Sequence, residues 1–161
     1  MFNNLGLARV LLGHMDLLIL LGETAPELAA AHNTVDRWDI IKPVGDKLAP
    51  VIDEIVSQVK APGHMQMMST QEDIEANVLN QVKAAYVDYA VKNATRGMVL
   101  ASNADDEAKK KHADAKLKIE EDTRAKAMAE AGRRFDGKWL NAALELFKTV
   151  APIVLPALLH L

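Results

Sequence analysis

The stretch that decides the fold runs from Ala104 to Arg134: ADDEAKKKHADAKLKIEEDTRAKAMAEAGRR. Asp105/Lys109, Asp106/Lys110, Glu107/Lys111, Asp114/Lys118, Glu120/Arg124, Asp122/Lys126 and Glu130/Arg134 are acid-before-base pairs four residues apart. On a helix each such pair stabilises by roughly 0.2–0.5 kcal/mol, and acid-first is the better orientation. Acids crowd the start and Arg133-Arg134 the end, which complements the helix dipole. Ser102-Asn103-Ala104-Asp105 has the character of an N-terminal cap, and Gly132 suits a C-cap. The spacing predicts one long charged helix over about 104–132.

The apolar face of that helix is thin: Ala104, Ala108, Ala115, Ile119 and Ala127. A helix with so little to bury needs another role for its length. It is read either as the exposed arm of an antiparallel hairpin with residues 70–100, or as part of one helix reaching between subunits. The partner segment opens on a capping-box spacing, Ser69 to Glu72, and continues through Ile74, Val78, Val82, Ala85 and Tyr89. Gly97 and Ser102-Asn103 are the points where the chain could turn.

Working outward, both flanks are apolar. From Leu5 to Leu21 nearly every position is hydrophobic, interrupted by Arg9, Gly13 and Asp16 on one helical stripe. Gly22 is expected to end this helix and Thr24-Ala25-Pro26-Glu27 to open the next, with Pro in the first turn. Leu28, Ala31, Val35, Trp38 and Ile41 would mark its face, and Pro43 its end. A third helix is expected from Asp46 through Leu48, Val51, Ile52, Ile55 and Val59, stopped by Ala61-Pro62-Gly63. In the tail, Trp139, Ala143, Leu146, Phe147 and Val150 lie near one face, and no Asp, Glu, Lys or Arg follows Thr149. Pro152 and Pro156 argue against a regular membrane span there, because each removes a hydrogen bond that lipid cannot replace.

The composition agrees with a helical protein. Hydrophobic residues make up 50% and charged residues 25%, the balance of a folded chain rather than a disordered one. Aromatics are 4%, so the core must be aliphatic and alanine-rich. A net charge of −3 argues against general attraction to nucleic acid. No cysteine is present, which excludes disulfides and thiolate chemistry.

Motifs that would carry chemistry do not assemble. Gly132-Arg133-Arg134-Phe135-Asp136-Gly137-Lys138 has P-loop spacing, but Trp139 stands where Ser or Thr should hold magnesium, and a charged helix precedes it instead of a strand. His14, His32, His64, His112 and His160 are scattered without metal-site spacing. Gly63-His64-Met65-Gln66-Met67-Met68 reads as a connector, Met being a soft gap-filler, ahead of a copper(I) site. Asn93-Ala94-Thr95 is a glycosylation sequon set within an expected helix. Lys109-Lys110-Lys111, Lys116 and Lys118 belong to a helix that is neutral overall: residues 102–136 hold nine acidic and nine basic side chains.

The expectation is therefore an all-α protein, a multi-helix bundle or helical hairpin in one domain over 1–161. Within it, 1–62 and 137–161 are the apolar parts and 69–136 the long helix or hairpin. It predicts no enzyme, no cofactor, no metal and no small-molecule substrate. The interaction residues, for partner or lipid, would be Leu5, Leu12, Leu18, Trp139, Leu146, Phe147, Val150, Leu155 and Leu158. Function is read as structural: a homo- or hetero-oligomer with helical subunits, joined through the apolar ends. The alternative is a membrane-active protein whose ends insert in a bilayer or lie on it. Arg9, His14 and Asp16 and the lack of a basic leader point to synthesis in the cytoplasm without a cleavable signal. In texture, with apolar ends around a charged helix, the chain is similar to small internal or DNA-ejection proteins of tailed phages. That resemblance implies a virion component.

Overall fold

A computed structural model describes residues 4–60 and 70–160. Among these residues the secondary structure is helical and no strand occurs. In chain order the helices are α1 (Asn4–Leu11), α2 (Met15–Ala30), α3 (Thr34–Leu48), α4 (Ile52–Lys60), α5 (Gln71–Thr95), α6 (Asp106–Arg134) and α7 (Gly137–Val154). Short 3-10 segments at Leu12–His14 and Pro156–His160 follow α1 and α7. The chain forms two compact units. The first takes Met1–Val82 and Asp136–Leu161, and the second is Lys83–Phe135, so α5 crosses from one to the other.

The first unit is organised around α2 and α7, with α3 against both. On α7 the residues Leu140, Ala143, Leu144, Leu146, Phe147, Val150 and Ala151 are buried, at the three- and four-residue spacing of one broad helical face. Opposing them are Leu17, Leu18, Leu21 and Leu28 of α2 and Ile41, Val44 and Leu48 of α3. A fully buried side chain of this kind contributes about 1.5–3 kcal/mol. Helix α1 packs on α4 and α7, and buries Leu7, Val10 and Leu11. His14 and Glu54 approach to 3.8 Å at the surface of this unit.

Several local stop signals behave differently from the sequence expectation. Gly22 does not end a helix: α2 runs through Gly22, Thr24 and Pro26 to Ala30. The glycine serves a contact instead, because a Cβ built there would overlap the indole of Trp139. The break comes at Ala31, which is extended (φ −76°, ψ 134°), and Asn33 then caps α3 by accepting from the Asp36 amide at 2.9 Å. This divides the expected Leu28-to-Ile41 stripe between two helices. Leu28 and Ile41 are buried, while Val35 and Trp38 stand exposed.

Pro43 lies inside α3, which continues to Leu48, and the next helix starts at Ile52 and not at Asp46. A proline in a helix interior forfeits the bond to the carbonyl four residues back and costs about 3 kcal/mol. Burial of Ile41, Val44 and Leu48 on both sides of Pro43 outweighs that local cost. Pro152 sits similarly in α7, downstream of the buried Phe147–Ala151 turn.

Helix α5 is capped by Thr70, whose hydroxyl accepts from the Asp73 amide at 3.2 Å. Ser69 and the Met-rich connector 63–68 lie outside the described residues.

Candidate interaction surface

The end of α5, one connection and the whole of α6 build the second unit. Its share of α5, residues 83–95, ends at Thr95, whose hydroxyl donates to the Val91 carbonyl at 3.1 Å. Residues 96–105 then lead to α6, which Asp105 caps by accepting from the Ala108 amide at 2.8 Å. Helix α6 does not stop at Gly132. It continues to Arg134, with Phe135 as its C-cap. The P-loop look-alike is thus the end of α6, a cap, and the start of α7, where Asp136 accepts from the Trp139 amide at 2.9 Å. Asn93-Ala94-Thr95 likewise falls within a helix.

Phe135, wholly buried, meets Tyr86 edge-on with ring centroids 5.3 Å apart and planes at 67°. The Arg134 guanidinium lies 5.7 Å from the Tyr86 centroid and 5.5 Å from that of Phe135. This contact brings the far end of α6 back beside α5. Between the same helices lies an open groove of about 300 Å³. Its apolar lining is Ala84, Val87, Met128 and Ala131, with Lys83, Asp88 and Arg124 supplying charge.

The covered side of α6 is narrow and small. Ala127 and Ala131 are its buried residues, and Ala108, His112, Glu120, Thr123 and Glu130 are half-buried at related positions. Ala115, expected on the apolar face, is exposed, and Ile119 is 37% exposed. Glu107 and Lys111 close one four-apart ion pair at 3.3 Å, whereas Glu130 turns to Arg133, three residues on.

Large exposed apolar side chains are concentrated here. Of the nine among the described residues, six belong to this unit: Tyr89, Val99, Leu100, Leu117, Ile119 and Met128. The unit is about a third of the chain, so the enrichment is about twofold by length. Isolated exposed apolar residues are ordinary, but Leu117, Arg124 and Met128, spaced seven and four apart, share one face of α6. That face leads into the groove.

The residues singled out from sequence lie elsewhere. Leu18, Phe147 and Val150 are wholly buried in the first unit, and Leu146 and Leu158 nearly so. Leu5, Leu12, Trp139 and Leu155 are half-buried there. The groove and Leu117 escaped notice because their signal is faint. It consists of two large apolar residues, Leu117 and Met128, displaced from the alanine stripe of a charged helix.

Among the described residues, no group of three or more His, Asp or Glu side chains gathers in a way that could hold a metal ion. The run Asn4–Ala30 is long and apolar enough to cross a membrane by length and composition, with a mean hydropathy of 1.7. Half of that window is buried inside the protein. No protein-family model matches the chain, and no curated protein or solved structure is significantly similar to it.

Proposed function

We propose that this protein is a non-catalytic assembly protein, and that its second unit, a helical hairpin of α5 and α6, carries the association. The observation that supports this most is the concentration of exposed apolar side chains on that unit, beside a groove floored by Ala84, Val87, Met128 and Ala131. The first unit is the folded anchor. Its apolar helices cover one another across α2 and α7, leaving the long charged helix as the surface on offer. Charged side chains keep such a helix soluble until a partner covers Leu117 and its neighbours.

The test is the mass of the full chain in detergent-free solution, measured by light scattering across a concentration series. A discrete oligomer supports the reading. A monomer of 17.6 kDa at about 100 µM, near the weak end of specific association, removes self-association from it.

One observation favours a second reading, membrane association, namely the apolar Asn4–Ala30 run. To reach lipid, α1 and α2 would have to leave α7, exposing Leu18, Leu21 and Phe147. Vesicle flotation of the full chain decides it: protein that stays at the bottom of the gradient with both neutral and anionic vesicles rules the membrane out.

A further inference from the structure

Helix α6 carries a second periodic stripe, centred away from the one that faces α5 and reaching the groove between the two helices only at Arg124. Asp106, Lys110, Ala113, Leu117, Glu121 and Arg124 recur at intervals of three and four, and all are exposed, Leu117 by 54%. At 100° per residue the stripe's centre at Leu117 lies roughly a quarter turn around the helix from Ala127 and roughly a third to a half turn from Thr123, His112 and Ala108. A second helix could therefore lie on it without displacing α5.

Resting on the assembly reading above, we propose that this stripe is a self-association seam: α6 of a second copy lies along it antiparallel, with the two-fold axis passing near Ala115. Charge order selects the partner and the register. When facing residue numbers sum to about 230, Asp106 meets Arg124 of the second copy. Lys110 meets Glu120 and Glu121, and Ala113 meets Leu117. Two-fold symmetry repeats every contact.

Other arrangements set like charges together. In a parallel in-register pair each charged residue faces itself. Sliding the antiparallel pair by one turn in one direction puts Asp106 against Glu120–Glu121, and in the other direction Lys110 against Arg124. Ala113, small and directly opposite Leu117, leaves room for the leucine at the usual 8–10 Å between helix axes.

The absence of cysteine from the chain makes the test clean, since any thiol introduced is unique. Asp106→Cys and Arg124→Cys variants are prepared with different mass tags, checked for unchanged helicity, and oxidised separately and as a mixture. In the proposed dimer Asp106 faces position 124, while each position lies about 27 Å along the axis from its own copy, at 1.5 Å per residue. A disulfide requires Cα atoms within about 7 Å. The mixture should form the mixed disulfide at least about tenfold faster than either variant links to itself. Lys110→Glu should raise the dimer dissociation constant about three- to tenfold, because it reverses a charge pair that occurs twice. Combining it with Glu120→Lys and Glu121→Lys should restore the affinity.

Self-linking of each variant at a rate equal to the mixture overturns the antiparallel seam. A dimer in light scattering with no preference for the mixed disulfide overturns the seam but leaves the assembly reading standing. A chain that remains monomeric at about 100 µM overturns this proposal and self-association together.

Discussion

Gly22→Ala tests the packing of the first unit most directly, because two principles make opposite predictions for it. By helix propensity alone, alanine in place of glycine within α2 should stabilise by about 0.8–1.0 kcal/mol. In the structure, however, the new methyl would overlap three atoms of the Trp139 indole, Nε1, Cε2 and Cζ2, well inside the ~3.5 Å at which carbon atoms touch. These atoms belong to a rigid ring, so the whole side chain must swing or α2 and α7 must part.

Overpacking of this kind costs typically about 1–3 kcal/mol. The net for Gly22→Ala is thus a loss of up to about 2 kcal/mol, or up to roughly 8 °C in Tm for a chain of this size. In a Trp139→Ala background the obstruction is gone and the same change should stabilise by about 0.5–1 kcal/mol. The coupling between the two sites is then the overpacking cost itself, about 1–3 kcal/mol, within the range for residues in contact. Urea denaturation of the four members of the cycle, followed by circular dichroism with m-values compared, measures it. Stabilisation by Gly22→Ala in the unaltered protein would refute the seating of Trp139 on Gly22.

Gly132→Ala should do the reverse of what a C-cap glycine would do. A Cβ there meets nothing within 4 Å and α6 continues past it, so thermal unfolding should shift upward by the equivalent of about 0.5–1 kcal/mol. Gly45→Ala in α3 should also stabilise, by a similar or smaller amount, since its Cβ would sit 3.7 Å from Val154, an ordinary contact. Asp136→Ala removes the cap of α7 and should cost about 1 kcal/mol in chemical denaturation, with Asp136→Asn close to neutral. A loss at Asp136→Asn as large as at Asp136→Ala would mean that the carboxylate acts by charge and not by capping.

The all-helical character was legible because it rests on local chemistry. The Glu-to-Lys lattice of α6 and the Asp105 cap need no tertiary information. Breaks were harder to read. Gly22 and Gly132 look alike as punctuation, yet one accommodates an indole from a distant helix and the other simply lies within a helix. Pro43 marks an end by propensity, but Ile41, Val44 and Leu48 have enough to bury that α3 runs on. Local rules lost wherever a distant partner decided the outcome.

The same limit applies to the surface. Leu18, Phe147 and Val150 are apolar enough to bind a partner, and periodicity cannot say whether that partner is another molecule or the other end of the same chain. Leu117 carried a weaker signal, since its significance lies in its exposure, which the composition of a charged helix does not reveal.

The first unit is interrupted in sequence by the second, and this bears on how the protein is made. Trp139 is synthesised more than a hundred residues after Gly22, with the whole of α6 in between. At the usual rates of translation, α2 therefore waits on the order of ten seconds for α7. During that time α2, with Leu17, Leu18 and Leu21, has α3 beside it but lacks the cover that α7 will supply. Helix α6, whose cap and ion pairs join residues three or four apart, can form while the chain is still growing. A nascent chain with its most apolar helix only partly covered is a natural client for a chaperone at the ribosome exit. Truncation before Gly137 would leave the α7-facing side of that helix uncovered for good, and such fragments should aggregate even though α6 within them is intact.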